Sequence, residues 1–282
     1  MNPLIEVDEL ASALADPDCV PIDCRFNLLD PEAGVRQYAD AHIPGARYAN
    51  LDLNLARVPG ADDGRHPLPN PEDFAAWLEA LGVSNTSFVV AYDEGPGAIA
   101  ARLWWMLRWL GHSRVAVLNG GLARWRADSL PLSDEMPRFE RGSFVPVRIN
   151  AAWTVSTAEL ENRLRAGDVV LDARAAPRYR GEQEPIDPVA GHVPGATNLP
   201  FTECLGDDGR LLPRSELETV LKNAMRGHDA EHVIAMCGSG VTACHLLLAM
   251  NSAGLGDGRL YVGSWSEWIR NPERRIATGS DT

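Results

Sequence analysis

The sequence predicts an α/β protein made of two copies of one domain, each a parallel β-sheet flanked by helices on both faces. Three observations carry this. The chain repeats itself with a period of about half its length, and four segments recur in the same order at offsets between 143 and 150. Short runs rich in Val and Ile alternate with helical stretches, the pattern of right-handed crossovers on a parallel sheet. One such run, Val233-Ile-Ala-Met-Cys-Gly-Ser-Gly-Val-Thr-Ala-Cys-His245, passes from a buried strand through a glycine turn into a helix.

The elements follow in chain order. Val20-Pro-Ile-Asp-Cys-Arg25 reads as a strand ending in an Asp-x-Arg sequence and recurs as Val169-Val-Leu-Asp-Ala-Arg174. Ala41-His-Ile-Pro-Gly-Ala46 reads as a turn and recurs as Gly191-His-Val-Pro-Gly-Ala196. The strand Phe88-Val-Val-Ala-Tyr-Asp93 recurs as His232-Val-Ile-Ala-Met-Cys237, and Gly120-Gly-Leu-Ala-Arg-Trp125 recurs as Gly263-Ser-Trp-Ser-Glu-Trp268. Helices are expected over 98–110, where Trp104, Trp105, Leu107 and Trp109 form an apolar stripe, and over 157–165. Residues 133–154 hold Pro137, Pro146 and charges with little periodicity. The expected organisation is therefore a first domain over 1–132, a linker over 133–154 and a second domain over 155–282.

Composition narrows the classes of function. A chain of 282 residues can bury two cores, and 45% apolar with 23% charged residues is the balance of a globular protein. A net charge of −13 repels a phosphate backbone, so no nucleic-acid partner is expected. Small anions remain possible ligands, since they need only a local group of arginines. No apolar stretch approaches the roughly 20 residues of a membrane span, and the start Met-Asn-Pro-Leu-Ile-Glu-Val-Asp has no signal-peptide pattern. The five cysteines (Cys19, Cys24, Cys204, Cys237 and Cys244) are odd in number and match neither zinc nor C-x-x-C spacing. No disulfide framework, metal or organic cofactor is expected, and a reducing cytoplasm is the expected location.

Cys237 is the candidate nucleophile. The pattern places its sulfur at the carboxyl end of a parallel strand and at the mouth of a helix, where backbone N–H groups and the helix dipole favour negative charge. Glycines 238 and 240 permit positive φ, so that successive N–H groups, with those of Val241 and Thr242, can curl into an anion-binding nest. Asp93 holds the corresponding position in the first copy, which lacks a thiol there. Asp172 with Arg174, and Asp23 with Arg25, recur in both copies and read as internal ion pairs. His42 and His192 recur at the Pro-Gly turns and read as partners of backbone groups. Cys244, two helical turns beyond Cys237, reads as core packing.

The ordered set of Asp-x-Arg, Gly-His-x-Pro-Gly-Ala, the cysteine loop and the terminal Gly-x-x-x-x-Trp resembles the rhodanese family, and in particular its tandem-domain sulfurtransferases. That resemblance implies two rhodanese-like domains, the first catalytically silent. The loop Cys237-Gly-Ser-Gly-Val-Thr242 is similar to that of the 3-mercaptopyruvate sulfurtransferase group. Residues 238–242 carry no Lys or Arg. A neutral loop suits a monocarboxylate, whereas thiosulfate, a compact dianion and the alternative donor, favours cations in the loop. The resemblance implies a Cys237 persulfide, pyruvate as the product, and a thiol such as thioredoxin, a small thiol or cyanide as the acceptor. It further implies that Ser239 acts on the donor ketone, supported by His66, and that Arg178 grips the donor's anionic end. Ser264 resembles a serine near the active sulfur.

Two departures stand out. The aspartate expected to support His66 aligns with Asn54, with Asp52, Asp62 and Asp63 as alternative partners. The second arginine, expected nine residues after Arg178, falls where Ile186 and Asp187 stand, and Arg180 is a weak substitute. Among competing classes, a Cys-x5-Arg phosphatase is disfavoured because Ala243 stands six residues after Cys237. A sulfur-binding or sensing module without activity is disfavoured by Cys237 itself.

Overall fold

The computed structural model describes residues 1–280. They form two compact units, one of residues 1–57, 68–150 and 207–210, the other of residues 58–67, 151–206 and 211–280. The stretch Val58–Pro67, in the first half of the chain, is thus part of the second unit. Residues 133–150 pack with the first unit. The Gly142 and Val147 N–H groups there donate to the Glu79 and Leu110 carbonyls at 2.8 and 3.1 Å.

The first unit runs β1 (Leu4–Ile5), α1 (Val7–Ala13), β2 (Cys19–Asp23), α2 (Ala33–Asp40), β3 (Arg47–Tyr48), α3 (Pro71–Ala80), β4 (Phe88–Tyr92), α4 (Ala100–Trp109), β5 (Val115–Leu118) and α5 (Gly121–Ala127). Its five strands are parallel, in the order β1-β5-β4-β2-β3. The second unit runs β6 (Thr154–Val155), α6 (Thr157–Ala166), β7 (Val169–Asp172), α7 (Ala176–Tyr179), β8 (Thr197–Asn198), α8 (Arg214–Met225), β9 (Val233–Met236), α9 (Ala243–Ser252), β10 (Arg259–Tyr261) and α10 (Ser264–Trp268). Its order, β6-β10-β9-β7-β8, is the same one shifted by five strands. The sequence repeat is therefore a repeat of topology.

Central strands β4 and β9 are buried along nearly their whole length, as apolar runs in a sheet covered on both faces must be. Helix α6 has the strongest local specification. Ser156 and Glu159 form a reciprocal capping box, and Gly167 ends the helix in the left-handed conformation. Helix α4 differs from the expected one-sided stripe. Nine of its ten residues are buried, including Arg102, whose guanidinium reaches the Leu55 carbonyl at 3.4 Å.

The repeated motifs lock each sheet in the same manner. Arg25 pairs with Asp23 and donates to the Ala41 carbonyl at 2.7 Å. Arg174 pairs with Asp172 and donates to the Gly191 carbonyl at 2.8 Å. Each guanidinium thus ties a strand end to a Pro-Gly turn. In the turns, His42 and His192 stack on Tyr38 and Tyr179, and each Nδ1 lies within 2.8 Å of that tyrosine's carbonyl oxygen. Trp125 and Trp268 hold their indole N–H groups on the Pro131 and Arg275 carbonyls. All five cysteines are free and buried. No helix among the described residues is long and apolar enough to cross a membrane.

Candidate active site

Each sheet places a loop at the carboxyl end of its central strand, where ligands of open α/β sheets bind. In the first unit that loop folds around an anion. The Asp93 carboxylate accepts hydrogen bonds from the N–H groups of Gly95, Gly97, Ile99 and Ala100 at 2.8–3.1 Å. The first residue after β4 therefore fills its own nest with a fixed charge. In the second unit the residue after β9 is Cys237, followed by a loop one residue shorter that leads into α9.

The backbone of Cys237 is held by the first turn of α10, just after β10. The Ser264 hydroxyl accepts the Cys237 N–H at 3.1 Å and donates to the Tyr261 carbonyl at 2.9 Å. The Trp265 and Ser266 N–H groups donate to the Cys237 and Gly238 carbonyls at 3.0 and 2.9 Å. In the first unit Leu122 and Ala123 make the equivalent bonds to Asp93 and Glu94. The residue before them is Gly121 at φ 60°, whereas Ser264 adopts φ 51° with a side chain attached. A non-glycine residue in this region is strained by about 1–3 kcal/mol, and here the strain accompanies a hydroxyl that the glycine cannot supply.

Of the two loop glycines, Gly240 has positive φ (+76°), and a Cβ on it would lie 2.4 Å from the Val262 carbonyl oxygen. Gly238 does not have positive φ, contrary to the expectation for it. Its importance is spatial: a Cβ there would lie 3.4 Å from one guanidinium nitrogen of Arg178 and 3.4 Å from one of Arg65. Val241 is buried, and Thr242 forms the N-cap of α9.

The structure brings Ser239 and His66 together, 173 residues apart in sequence, with Ser239 Oγ 2.8 Å from His66 Nδ1 and both residues buried. The segment carrying His66 lies along the 263–266 turn. A Cβ on Gly64 would come within 2.4 Å of the Gly263 carbonyl oxygen, and the Arg65 N–H donates to Ser266 Oγ at 2.9 Å. Of the aspartate and asparagine candidates for supporting His66, Asn54 caps the Asn50 N–H and Asp63 takes the Gly60 N–H.

Arg178 forms a bidentate pair with Glu184, at 2.7–3.0 Å, and reaches Asp187 at 3.1 Å. Arg180 instead pairs with Glu182 at the surface. The second guanidinium beside the loop belongs to Arg65, which carries no local sequence signal of its own. It sits directly before His66, and its partner Asp187 stands where a second arginine was sought, with Arg65 Nη1 2.6 Å from Asp187 Oδ1.

The other cysteines are placed differently. Burial pushes the Cys19 thiol up to about 11 and the Cys204 thiol to about 12, and it raises Cys24 well above its ordinary value. The Cys244 thiol donates to the Gly240 carbonyl at 3.4 Å. Among the described residues no group of three His, Cys, Asp or Glu side chains could hold a metal ion.

Cys237 thus follows a central parallel strand and leads into Gly238, on which two guanidiniums converge, and Ser239, which pairs with His66. The chain belongs to the rhodanese family: the rhodanese-like domain matches residues 6–128 and again 156–271. A relative from Pseudomonas aeruginosa, named probable 3-mercaptopyruvate sulfurtransferase, is 48% identical over 98% of both chains. A Mycobacterium tuberculosis relative bearing a thiosulfate sulfurtransferase name is 35% identical over 98% of this chain and 97% of its own. The crystal structure of SseA from Escherichia coli, described as a 3-mercaptopyruvate sulfotransferase, superposes with a TM-score of 0.81. It is 33% identical, covering 94% of this chain and all of its own. The protein is accordingly a sulfurtransferase.

Proposed function

We propose that the protein transfers sulfur from 3-mercaptopyruvate to a thiol, protein-borne or small, or to cyanide, through a persulfide on Cys237, with the first domain catalytically silent. The observation that carries this reading is the Ser239–His66 contact beside Cys237, because a hydroxyl backed by an imidazole suits a donor with a ketone. The five free cysteines are consistent with work in a reducing compartment such as the cytoplasm.

Transfer divides into two displacements through a covalent intermediate. The Cys237 thiolate attacks the thiol sulfur of the donor. A sulfur–sulfur bond forms, the carbon–sulfur bond breaks, and its electron pair passes into the enolate of pyruvate. Protonation of that carbanion gives pyruvate, while the proton lost by the donor thiol leaves a persulfide anion. We assign the developing charge to the backbone N–H groups of the 238–242 loop and the start of α9, by analogy with the four N–H groups that hold the Asp93 carboxylate in the first unit. His66 donates from Nδ1 to Ser239 Oγ, which frees the serine proton for the ketone oxygen as it gains enolate charge. Arg178 and Arg65 hold the carboxylate, for which a planar guanidinium is geometrically matched. An acceptor thiolate or cyanide then attacks the outer sulfur and releases Cys237.

The role of Ser239 has a donor-specific test. Ser239→Ala should lower kcat with mercaptopyruvate roughly 10²-fold, the low end for a positioned proton donor. With thiosulfate, which has no ketone, the rate should change several-fold at most. Equal losses on both donors would remove Ser239 from the proton path. Measuring wild-type kcat/KM on the two donors decides the substrate, and a preference for thiosulfate would overturn the assignment.

A further inference from the structure

The carboxylate of Asp187 is buried between two guanidiniums. Its Oδ1 lies 2.6 Å from Arg65 Nη1 and its Oδ2 lies 3.1 Å from Arg178 Nη2, and its side chain is 3% exposed. Both arginines converge on Gly238, the residue after Cys237. Arg65 Nε is buried with no partner, so this guanidinium has a donor to spare. A cavity of about 420 Å³ opens on Arg65 and Asp187 and is lined also by Pro188, Ser266 and Arg270. This is enough room for a compact organic anion.

The charges here are nearly balanced. Arg65, Arg174, Arg178 and Arg270 supply four positive charges, and Asp172, Glu184 and Asp187 supply three negative ones. The charge of Asp187 offsets part of the positive charge that the two guanidiniums present, and removing it leaves one more positive charge for a donor to meet.

We infer that Asp187 is the positioning residue that sets the donor's charge: it holds Arg65 and Arg178 side by side as a carboxylate clamp, and its own charge weakens their hold on dianionic donors. The inference rests on the reading of Cys237 as the site of transfer. Arg65 thereby supplies the second guanidinium, and the charge of Asp187 offsets part of the clamp's positive charge. Specificity of this kind is a difference between two affinities, set here by the carboxylate that disfavours the dianion.

The test compares kcat/KM for thiosulfate and for mercaptopyruvate in Asp187→Asn. The amide keeps an oxygen for one guanidinium and removes the charge. The ratio of the two should move toward thiosulfate by about tenfold, the scale of one added charge at partly screened range, with the change carried by KM. The shift should shrink in high salt. Asp187→Glu retains the charge and should keep the wild-type ratio, and near-UV circular dichroism of both variants confirms folding. If Asp187→Asn does not fold, Arg65→Gln, on a partly exposed side chain, should lose more on thiosulfate than on mercaptopyruvate. An unchanged ratio in Asp187→Asn, an equal loss on both donors in Arg65→Gln, or a ratio in Asp187→Glu that matches Asp187→Asn would overturn the inference. Should the wild type prefer thiosulfate, the donor assignment fails, while the direction of the Asp187→Asn shift still decides the role of Asp187.

Discussion

Cys237→Ser should abolish sulfur transfer from every donor, with kcat/KM falling by at least about 10³-fold, as expected when the covalent nucleophile is removed. A hydroxyl is a far weaker nucleophile than a thiolate, and it forms no stable bond to a sulfane sulfur. The fold should hardly respond. Sulfur and oxygen are close in size, and the backbone of residue 237 is fixed by Ser264, Trp265 and the strand, not by its own side chain. No other thiol can replace it. Burial keeps Cys19, Cys24 and Cys204 protonated, and Cys244 is turned into the base of the loop to bond the Gly240 carbonyl. Thiocyanate formation with cyanide as acceptor reads the loss directly. Retention of more than a tenth of the wild-type rate would mean that the reacting atom lies elsewhere.

Gly240→Ala should cost both stability and activity. At φ +76° an L-residue is strained, and the added methyl would stand 2.4 Å from the Val262 carbonyl oxygen, which is backbone and cannot rotate away. Either the loop or the turn after β10 must shift. That turn holds Cys237 through Ser264 and Trp265, so relief of the clash displaces the sulfur. We expect a loss of about 2–3 kcal/mol, combining left-handed strain with overpacking, seen as a lower urea midpoint at unchanged slope. The same shift should lower kcat by roughly 10²-fold, since misplacement by about 1 Å is enough for that. A variant with wild-type stability and turnover would show that the loop has more room than its backbone indicates.

Local pattern made a large part of the fold legible. The repeat of Asp-x-Arg, the Pro-Gly turns and the terminal tryptophans reappears as two sheets of identical strand order, because each motif closes a contact within its own copy. Cys237 was legible for a related reason: strand, glycine turn and helix are contiguous, so the sequence itself places the thiol at the strand end. The two-residue strands β1, β3, β6 and β8 were not readable, since two residues define no alternation. Nor was the wholly buried surface of α4, where Arg102 finds the Leu55 carbonyl only in the folded chain.

Arg65 and Asp187 were not legible. They meet across 122 residues, and neither carries a local signal beyond an arginine next to a singled-out histidine. Asp187 counted as the absence of an expected arginine, yet its carboxylate is what holds the replacement guanidinium. Residues 58–67 fold with the second unit although they precede most of the first, a placement that no periodicity encodes. Long-range pairing of charges across loops is set by tertiary packing, and the sequence offers only its participants.

In the proposed mechanism Cys237 carries the transferred sulfur. Treating the protein with mercaptopyruvate without an acceptor, blocking free thiols, and reading fragment ions of the peptide that contains residues 237 and 244 tests it most directly. One additional sulfur should appear on Cys237, and it should disappear when cyanide is added. An extra sulfur on Cys244, or an unmodified Cys237 alongside released pyruvate, would contradict the mechanism.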